Sequence, residues 1–230
     1  MQKDAINKAC PMRFTPVTTK DGSSTLFDSR VSESYKSGHA AQTETEVVFL
    51  KPGVIDHPER LKHEPFRVLE LGFGLGMNVA TLYDWWKKNP NQKLEIVTVD
   101  SDLSGLRYLA SATDLCTPIS VLSCTARYQE GNFSVTLLET DFLCALTDLQ
   151  SARPFHTVFF DPFSPKSEPD SWSDQIFSAS ARILRPKGRL VTYSVSRRAK
   201  DGLTNAGFTW EKCRLPEILH KRESLLAIKP

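Results

Sequence analysis

The stretch FRVLELGFGLGMN, residues 66–78, decides the fold of this chain. FRVLEL is a short, nearly continuous apolar run, which is typical of a strand covered on both faces. The glycines that follow allow a sharp turn and expose backbone N–H groups at the start of a helix. GLGMNVATLYDWWKK has helical spacing, and Asn89-Pro90 ends it. We therefore predict a buried strand, a glycine loop and a helix.

The alternation of strand and helix continues to the C-terminus. The predicted strands are LEIVTVD (94–100), SVTLLETD (134–141), HTVFFD (156–161) and GRLVTYSV (188–195), each followed by a helical segment. The last two strands, FTWEKCRL and ESLLAIKP, follow each other and predict a terminal hairpin. This order predicts an α/β fold, a mostly parallel sheet between helices with an antiparallel edge strand.

The first 63 residues lack a strong hydrophobic period. Within them, ETEVVFL (44–50) is either a helix or a strand, and KPGVIDHPERLKHEP (51–65) has the composition of a connection. We therefore divide the chain into an N-terminal accessory segment, residues 1–63, and a main domain, residues 64–230.

Composition limits the class of protein. The chain has 230 residues, 40% hydrophobic and 24% charged, and a net charge of +2, as expected of a soluble protein. No apolar run is long enough to span a membrane, and the N-terminus lacks the apolar core of a signal peptide, so we expect a cytoplasmic protein. The five cysteines have no metal-ligand spacing and are predicted to be reduced thiols, without a metal site.

The glycine loop follows a carboxylate. Its pattern is Glu70-x-Gly72-x-Gly74-x-Gly76, which differs from the G-x-G-x-x-G of dinucleotide-binding folds. A carboxylate at this place would repel a pyrophosphate but suits a ligand with a cationic end. S-adenosylmethionine has an ammonium and a sulfonium and fits this requirement. The alternative is a tight strand-to-helix turn without a ligand.

Acidic residues end four of the predicted strands: Glu70, Asp100, Asp141 and Asp161. In a parallel sheet these ends share one edge, which is where such sheets bind ligands. Asp100 is placed to accept both ribose hydroxyls of the cofactor, with Asp102 as a rival. Asp141 is placed to accept the adenine amino group while Phe142 packs on the ring. The commoner use of each acid singly is a helix cap or a turn.

The set of a glycine loop and strand-end acids resembles the class I S-adenosylmethionine-dependent methyltransferases, over residues 66–230. The resemblance implies a Rossmann-like sheet of seven strands whose last strand is inserted antiparallel.

A more specific resemblance lies in DPFSPKSEPDSW (161–172). It is similar to the Asp-x-Phe-x-Pro-x-x-Asn-Pro-x-x-Trp motif of the bacterial tRNA 5-methylaminomethyl-2-thiouridine methyltransferases, known as the stand-alone MnmD type and as the methyltransferase half of MnmC. Three further stretches resemble that family: ELGFGLGMN (70–78), ESYKSGHAAQTETEVVFL (33–50) and KRESLLAIKP (221–230). Glu168 stands where the motif has Asn.

The resemblance implies N-methylation of the exocyclic amine of 5-aminomethyl(-2-thio)uridine at the tRNA wobble position, with S-adenosylmethionine as the cofactor. Asp161 would orient the amine and receive or relay its proton. The cofactor-binding residues would be Glu70, Gly72, Phe73, Gly74, Gly76, Asn78, Asp100, Asp141 and Phe142. The substrate-binding residues would be Tyr35, Pro162, Phe163, Lys166, Trp172, Arg197, Arg198 and Lys200.

Several of these roles have alternatives. Trp172 stacks on the base, caps the cleft or packs at the start of a helix, and Phe73 either covers the cofactor or belongs to the core. Tyr35 and Lys166 are otherwise surface residues. Arg197, Arg198 and Lys200 are expected to contact phosphates beside the pocket. A second basic cluster comprises Lys212, Arg214, Lys221 and Arg222. Either cluster is otherwise a solvated surface.

The expected partner is the anticodon loop of tRNA, whose bases can be splayed out into a pocket. Because 230 residues leave no room for an FAD-dependent oxidase half, we expect the preceding step, removal of a carboxymethyl group to give the aminomethyl substrate, to be either absent or supplied by a separate enzyme. The alternatives are methylation of another amine, on a small molecule or a protein, and a catalytically silent RNA-binding scaffold.

Overall fold

The N-terminal part of the chain forms a small antiparallel sheet followed by a helix. A computed structural model describes residues 12–60, 64–113 and 115–230. The sheet contains β1 (Phe14–Thr18), β2 (Ser24–Asp28) and β3 (Glu33–Ser34), in that order. Helix α1 (Ala41–Glu44) continues into a π-helix, Thr45–Ile55. Cys10 and residues 61–63 lie outside the described residues, so the division of the chain at residue 63 stays a prediction.

The π-helix includes five residues that we predicted to be a connection. ETEVVFL is helical, and the helix continues through Pro52 to Ile55. Tertiary packing overrides the helix-breaking effect of proline here, because Phe49 and Val54 are fully buried in the core. The carbonyl oxygen of Gly53 also accepts a hydrogen bond from Thr157 Oγ1, at 2.6 Å.

The rest of the chain is built on an eight-stranded sheet. Its strands are β4 (Phe66–Leu71), β5 (Leu94–Asp100), β6 (Arg127–Glu130), β7 (Phe133–Glu139), β8 (Phe155–Phe160), β9 (Leu184–Thr192), β10 (Thr209–Arg214) and β11 (Glu223–Ile228). Their order in the sheet is β10-β11-β9-β8-β4-β5-β7-β6. The five strands from β9 to β7 run parallel, and β11 is inserted antiparallel between β9 and β10.

Helices cover both faces of this sheet. They are α2 (Met77–Lys88), α3 (Ser104–Ala112), α4 (Ile119–Leu122), α5 (Phe142–Asp148), α6 (Asp174–Ile183) and α7 (Arg197–Asn205). Every residue of the central strands β4 and β8 is buried. Alternate side chains enter opposite cores, since Val68 packs with α2 on one face and Leu69 packs with α6 on the other.

The predicted fold class is confirmed, with one strand more than expected. The additional strand is β6, which pairs antiparallel with β7 at the edge of the sheet. Gly131, with a φ of +52°, and Asn132 form the turn between them. A Gly-Asn pair between two runs of alternating polar and apolar residues is a hairpin signal, so β6 was predictable from the sequence.

Three further observations concern the described residues alone. No helix among them is both long and apolar enough to cross a membrane. Within these same ranges, no group of three or more His, Cys, Asp or Glu side chains is arranged to hold a metal ion. The four described cysteines are unpaired, and none of them is buried.

Candidate active site

A cavity of about 790 Å³ opens at the carboxyl ends of the parallel strands. The loops after β4, β5, β7 and β8 all contribute to its lining, and the N-terminal segment closes one side. The predicted site residues that line it are Tyr35, Gly72, Phe73, Gly74, Asp100, Asp141, Phe142, Asp161, Pro162 and Phe163. Those that do not are Glu70, Gly76, Asn78, Lys166, Trp172, Arg197, Arg198 and Lys200.

The loop after β4 requires glycine at two positions. Gly72 has a φ of +99°, and a Cβ atom there would lie 2.4 Å from the carbonyl oxygen of Asp161. Gly76 has a φ of +80° at the N-terminal cap of α2, where a Cβ atom would lie 2.6 Å from Ile119 Cδ1. The loop therefore passes directly against the backbone that follows β8, and no larger side chain fits between them.

Phe73 has the core role considered for it, and its use as a cover for the cofactor stays a prediction. Its side chain is only 3% exposed and belongs to the core beside α2, yet the residue contributes to the cavity lining.

Asp100 and Asp102 both line the cavity, but their carboxylates have different partners. Asp100 accepts only backbone N–H groups, from Gly74 at 2.8 Å and from Asp102 at 3.0 Å. Asp102 instead forms ion pairs with Arg13, at 2.5 Å, and with Arg30, at 3.3 Å. Burial raises the pKa of the Asp100 carboxyl. Asp100 is thus the better candidate for binding ribose hydroxyls, because arginine does not engage its oxygens.

Asp141 caps a helix while lining the cavity. Its Oδ1 atom accepts a hydrogen bond from the backbone N–H of Cys144, at 2.9 Å, at the start of α5. This is the commoner use considered for such an acid. Phe142 follows it in the cavity wall, and an adenine-binding role for the pair stays a prediction.

The catalytic candidate Asp161 is buried in an ion pair with Lys36. Lys36 Nζ donates to Asp161 Oδ2 and to Asn78 Oδ1, the latter at 3.0 Å, and Asn78 Nδ2 donates to the same Asp161 oxygen at 2.8 Å. The Lys36 ammonium also lies 4.5 Å from the ring centre of Phe49. Burial raises the pKa of the Asp161 carboxyl, and the Lys36 cation opposes that rise.

Lys36 is the functional residue that sequence reasoning missed. It lies beside Tyr35, in the stretch that carries the family resemblance. Nothing in the spacing of that stretch distinguishes a buried lysine from an exposed one. Only its contact with the loop after β8, 125 positions along the chain, shows that it belongs to the site.

Glu70 lies beneath the glycine loop and not in the cavity lining. Its side chain is 1% exposed, Oε2 accepts from the Thr98 hydroxyl, and Oε1 has no partner among the described residues. Burial raises the pKa of Glu70 to about 8, against the hydrogen bonds from Thr98 and Asn78. The carboxyl is therefore mostly protonated at neutral pH in the protein as it stands.

The N-terminal segment and Tyr193, the residue after β9, hold the loop after β8 in place. Glu33 Oε2 accepts from the backbone N–H of Ser164, at 3.1 Å, and the Tyr193 hydroxyl donates to the carbonyl of Pro162, at 3.0 Å. The rings of Tyr35 and Phe163 are 5.0 Å apart. These contacts fix the wall of the cavity beside Asp161.

Trp172 has a core role, and the expectation that it stacks on a base is corrected. Its side chain is fully buried and packs edge-on against Phe160, with ring centres 5.0 Å apart. Its indole N–H donates to the carbonyl of Phe163, at 2.7 Å. Trp172 therefore supports the loop after β8 from the core side, where its ring is not accessible to a base.

Glu168, the residue at the motif's Asn position, lines the cavity. Burial raises the pKa of its carboxyl.

The basic cluster at the start of α7 lies outside the cavity lining. The Arg197 side chain is 94% exposed and faces Asp201, at 3.4 Å. Arg198 Nε donates to the carbonyl of Trp172, at 2.7 Å, which ties it to the wall of the site. Lys200 is partly buried on the same helix. Contact of this cluster with phosphates stays a prediction.

Comparisons with known proteins agree with this arrangement. Residues 116–230 match a family model described as S-adenosyl-L-methionine-dependent methyltransferase. The chain is 29% identical, over 88% of its length, to the tRNA 5-methylaminomethyl-2-thiouridine biosynthesis bifunctional protein MnmC of Acidovorax sp. (strain JS42), and 28% identical, over 87%, to that of Burkholderia mallei (strain SAVP1). It spans 34% of the length of each of these relatives.

Solved structures show the same relationship. The crystal structure of MNMC2 from Aquifex aeolicus is 27% identical, with a TM-score of 0.78 over 93% of this chain and 70% of that one. The CurJ carbon methyltransferase shares only the fold, with 16% identity and a TM-score of 0.53 over 85% of this chain and 56% of that one. The chain belongs to the S-adenosyl-L-methionine-dependent methyltransferases of this family and is related to the methyltransferase part of the MnmC proteins.

Proposed function

We propose that this enzyme methylates the exocyclic amine of 5-aminomethyl(-2-thio)uridine at the wobble position of tRNA, giving 5-methylaminomethyl(-2-thio)uridine. The observation that carries the proposal is the Asp161 carboxylate, presented at the end of β8 in the cavity wall and held by Lys36 and Asn78. The names of the MnmC relatives support the substrate. A tRNA substrate implies a cytoplasmic location, and the aminomethyl group is the product of a separate reaction.

The cavity suits a cofactor that carries positive charge. Eight carboxyl groups line it, against the three cationic side chains of Arg30, Lys36 and Lys221. Asp100 would accept the ribose hydroxyls, the glycine loop would lie along the cofactor, and Asp141 with Phe142 would hold the adenine. When bound, S-adenosylmethionine supplies the electrophilic methyl group.

The acceptor must reach Asp161 as a neutral amine, because only that form has a lone pair. An alkylamine has an ordinary pKa of about 10.4 and is mostly protonated at neutral pH. The Asp161 carboxylate favours the charged form of an amine bound beside it, whereas the fixed ammonium of Lys36 repels a second ammonium and offsets that effect on the pKa of the amine. Two charges about 4 Å apart interact by about 4 kcal/mol at an effective dielectric constant of about 20, which corresponds to roughly three pKa units.

Asp161 then orients the amine and takes up its proton. Oδ2 is engaged by Lys36 and Asn78, whereas Oδ1 has no hydrogen-bond partner among the described residues and is left for the substrate. Burial raises the pKa of this carboxyl, which makes it a better proton acceptor than an ordinary aspartate. Alignment of the amine contributes most of the acceleration, since positioning alone supplies roughly 7–11 kcal/mol in favourable cases.

The test supplies the purified protein with tRNA that carries 5-aminomethyluridine and with methyl-labelled cofactor, followed by digestion to nucleosides. Label in 5-methylaminomethyluridine supports the proposal. Label in another nucleoside, or transfer only to a small-molecule or protein amine, contradicts it. Unmodified tRNA from the same preparation serves as the control, since it lacks the acceptor amine.

A further inference from the structure

A groove of about 580 Å³ lies beside the cavity, at the end of the β10–β11 hairpin. We call it the basic groove and define it by Lys212, Arg214, His220, Lys221 and Arg222, which line it together with Leu215, Glu217 and Glu223. Lys221 also lines the cavity described above. The two depressions therefore adjoin at this side chain, and a single extended ligand can occupy both.

Two cations of the basic groove have no ion-pair partner among the residues that the structure describes. Lys212 pairs with Glu223, at 2.7 Å, and Lys221 pairs with Glu44, at 2.8 Å. Arg214 and Arg222 are exposed and form no ion pair with any described residue. They lie close together at the end of the hairpin, because Arg214 is the last residue of β10 and pairs with Glu223, the first residue of β11 and the neighbour of Arg222.

Basic side chains continue from the groove to the mouth of the cavity. His220 adopts a left-handed conformation, with a φ of +52°, at the tip of the hairpin. Its ring centre lies 4.2 Å from that of His39, which lines the cavity, and its Nε2 atom lies 3.3 Å from Lys20 Nζ. These side chains extend the polar, nitrogen-rich surface of the groove to the cavity.

We propose that the basic groove binds the phosphate groups next to the nucleotide whose base enters the cavity. This inference rests on the proposed function, since it takes RNA as the substrate. The cavity is rich in carboxylates and repels phosphate, whereas the groove is cationic and attracts it. The two chemical parts of a nucleotide, an amine-bearing base and a phosphate backbone, thus meet matching surfaces that share Lys221.

The groove is better placed for this contact than the cluster at the start of α7. Arg197, Arg198 and Lys200 line neither the cavity nor the groove. Arg198 is already engaged with the carbonyl of Trp172. An acidic protein segment would also be attracted to a cationic groove, but RNA is favoured because the groove leads directly into the site where a base is modified.

The test compares two double variants that lose the same charge. Arg214→Gln with Arg222→Gln removes the unpaired cations of the groove. Lys87→Gln with Arg153→Gln is the matched control, because these exposed side chains line neither the groove nor the cavity and pair with Glu130 on the edge strand β6 and with Glu95 on β5. Binding of a fluorescent anticodon stem-loop RNA is measured by anisotropy over a series of NaCl concentrations, and calorimetry with S-adenosylmethionine checks that the site is intact.

The groove variant is expected to bind the RNA at least about tenfold more weakly. The slope of log K against log salt should decrease by about 1.5, since each lost phosphate contact removes roughly 0.7–0.9. The control should bind like the wild type. Unchanged affinity and slope in the groove variant would overturn the inference, as would failure of the wild type to bind RNA while a polyglutamate probe binds the groove. If the groove binds RNA but no methyl group is transferred to aminomethyluridine, the proposed function is contradicted and the inference about the groove is not.

Discussion

Lys36 and Asp161 form a buried ion pair between two parts of the chain that lie 125 residues apart. Lys36 comes from the N-terminal segment and Asp161 from the end of the central strand β8. Their side chains are 7% and 8% exposed, so water screens the pair little. The wall of the cavity that carries Asp161 is therefore assembled from the N-terminal segment and the loop after β8.

Asp161→Asn should abolish methyl transfer while sparing the cofactor. The amide keeps the shape of the carboxylate but accepts no proton, so we expect turnover to fall by about 10²–10⁴-fold. The dissociation constant of S-adenosylmethionine, measured by calorimetry, should change little. Asp170→Asn is the control, because Asp170 also lines the cavity but is exposed. Wild-type turnover by Asp161→Asn would remove this residue from the mechanism.

Lys36→Met should move the pH–rate profile to higher pH. Without the fixed cation, the substrate amine keeps more of its ordinary basicity, and the neutral form is reached only under more alkaline conditions. Turnover should drop at pH 7 and recover in part at pH 9. Lys36→Arg retains the charge and should keep the wild-type profile with a reduced rate. A uniform loss at every pH in Lys36→Met would mean that the lysine is only structural.

Asp100→Asn and Asp102→Asn should separate cofactor binding from folding. Asp100 is free of arginine partners, so its loss should weaken S-adenosylmethionine binding by about tenfold or more, as for a charged hydrogen bond. Asp102 ties Arg13 and Arg30 to the main domain, so its loss should lower the melting temperature with little change in cofactor affinity. The reverse pattern would exchange the two roles.

The Glu70→Gln variant should become more stable relative to the wild type as the pH rises. The pKa of Glu70 is raised to about 8 in the folded state. Protonated Glu70 contributes its full stabilisation at any pH below the ordinary glutamate pKa, near about 4.3. This stabilisation is lost as the pH rises through 8. The amide does not titrate, so the difference in unfolding free energy from wild type should grow in favour of the variant between pH 5 and pH 9, on the order of a few kcal/mol.

Urea unfolding at pH 5, 7 and 9 measures this difference. Glu211→Gln, on the exposed strand β10, is the control and should show no such trend. A difference that stays constant with pH would mean that Glu70 is already ionised in the folded protein.

The parallel sheet and its ligand-binding edge were predictable because FRVLEL and HTVFFD carry the local signal of doubly covered strands. The strand-end position of Asp100, Asp141 and Asp161 followed from the same signal. The π-helix was not predictable, because Pro52 opposes it locally and only burial of Phe49 and Val54 stabilises it. Lys36 and the buried ring of Trp172 depend on contacts between distant segments, which no short pattern records.

The small N-terminal sheet has a consequence for how specificity changes in such enzymes. Its segment brings Lys36, Tyr35 and Glu33 to the acceptor side, whereas the cofactor side is built from the loops after β4, β5 and β7. Substitutions at these three positions would therefore change the acceptor side of the cavity without altering the glycine loop itself, provided that Arg13 and Arg30 keep their ion pairs with Asp102.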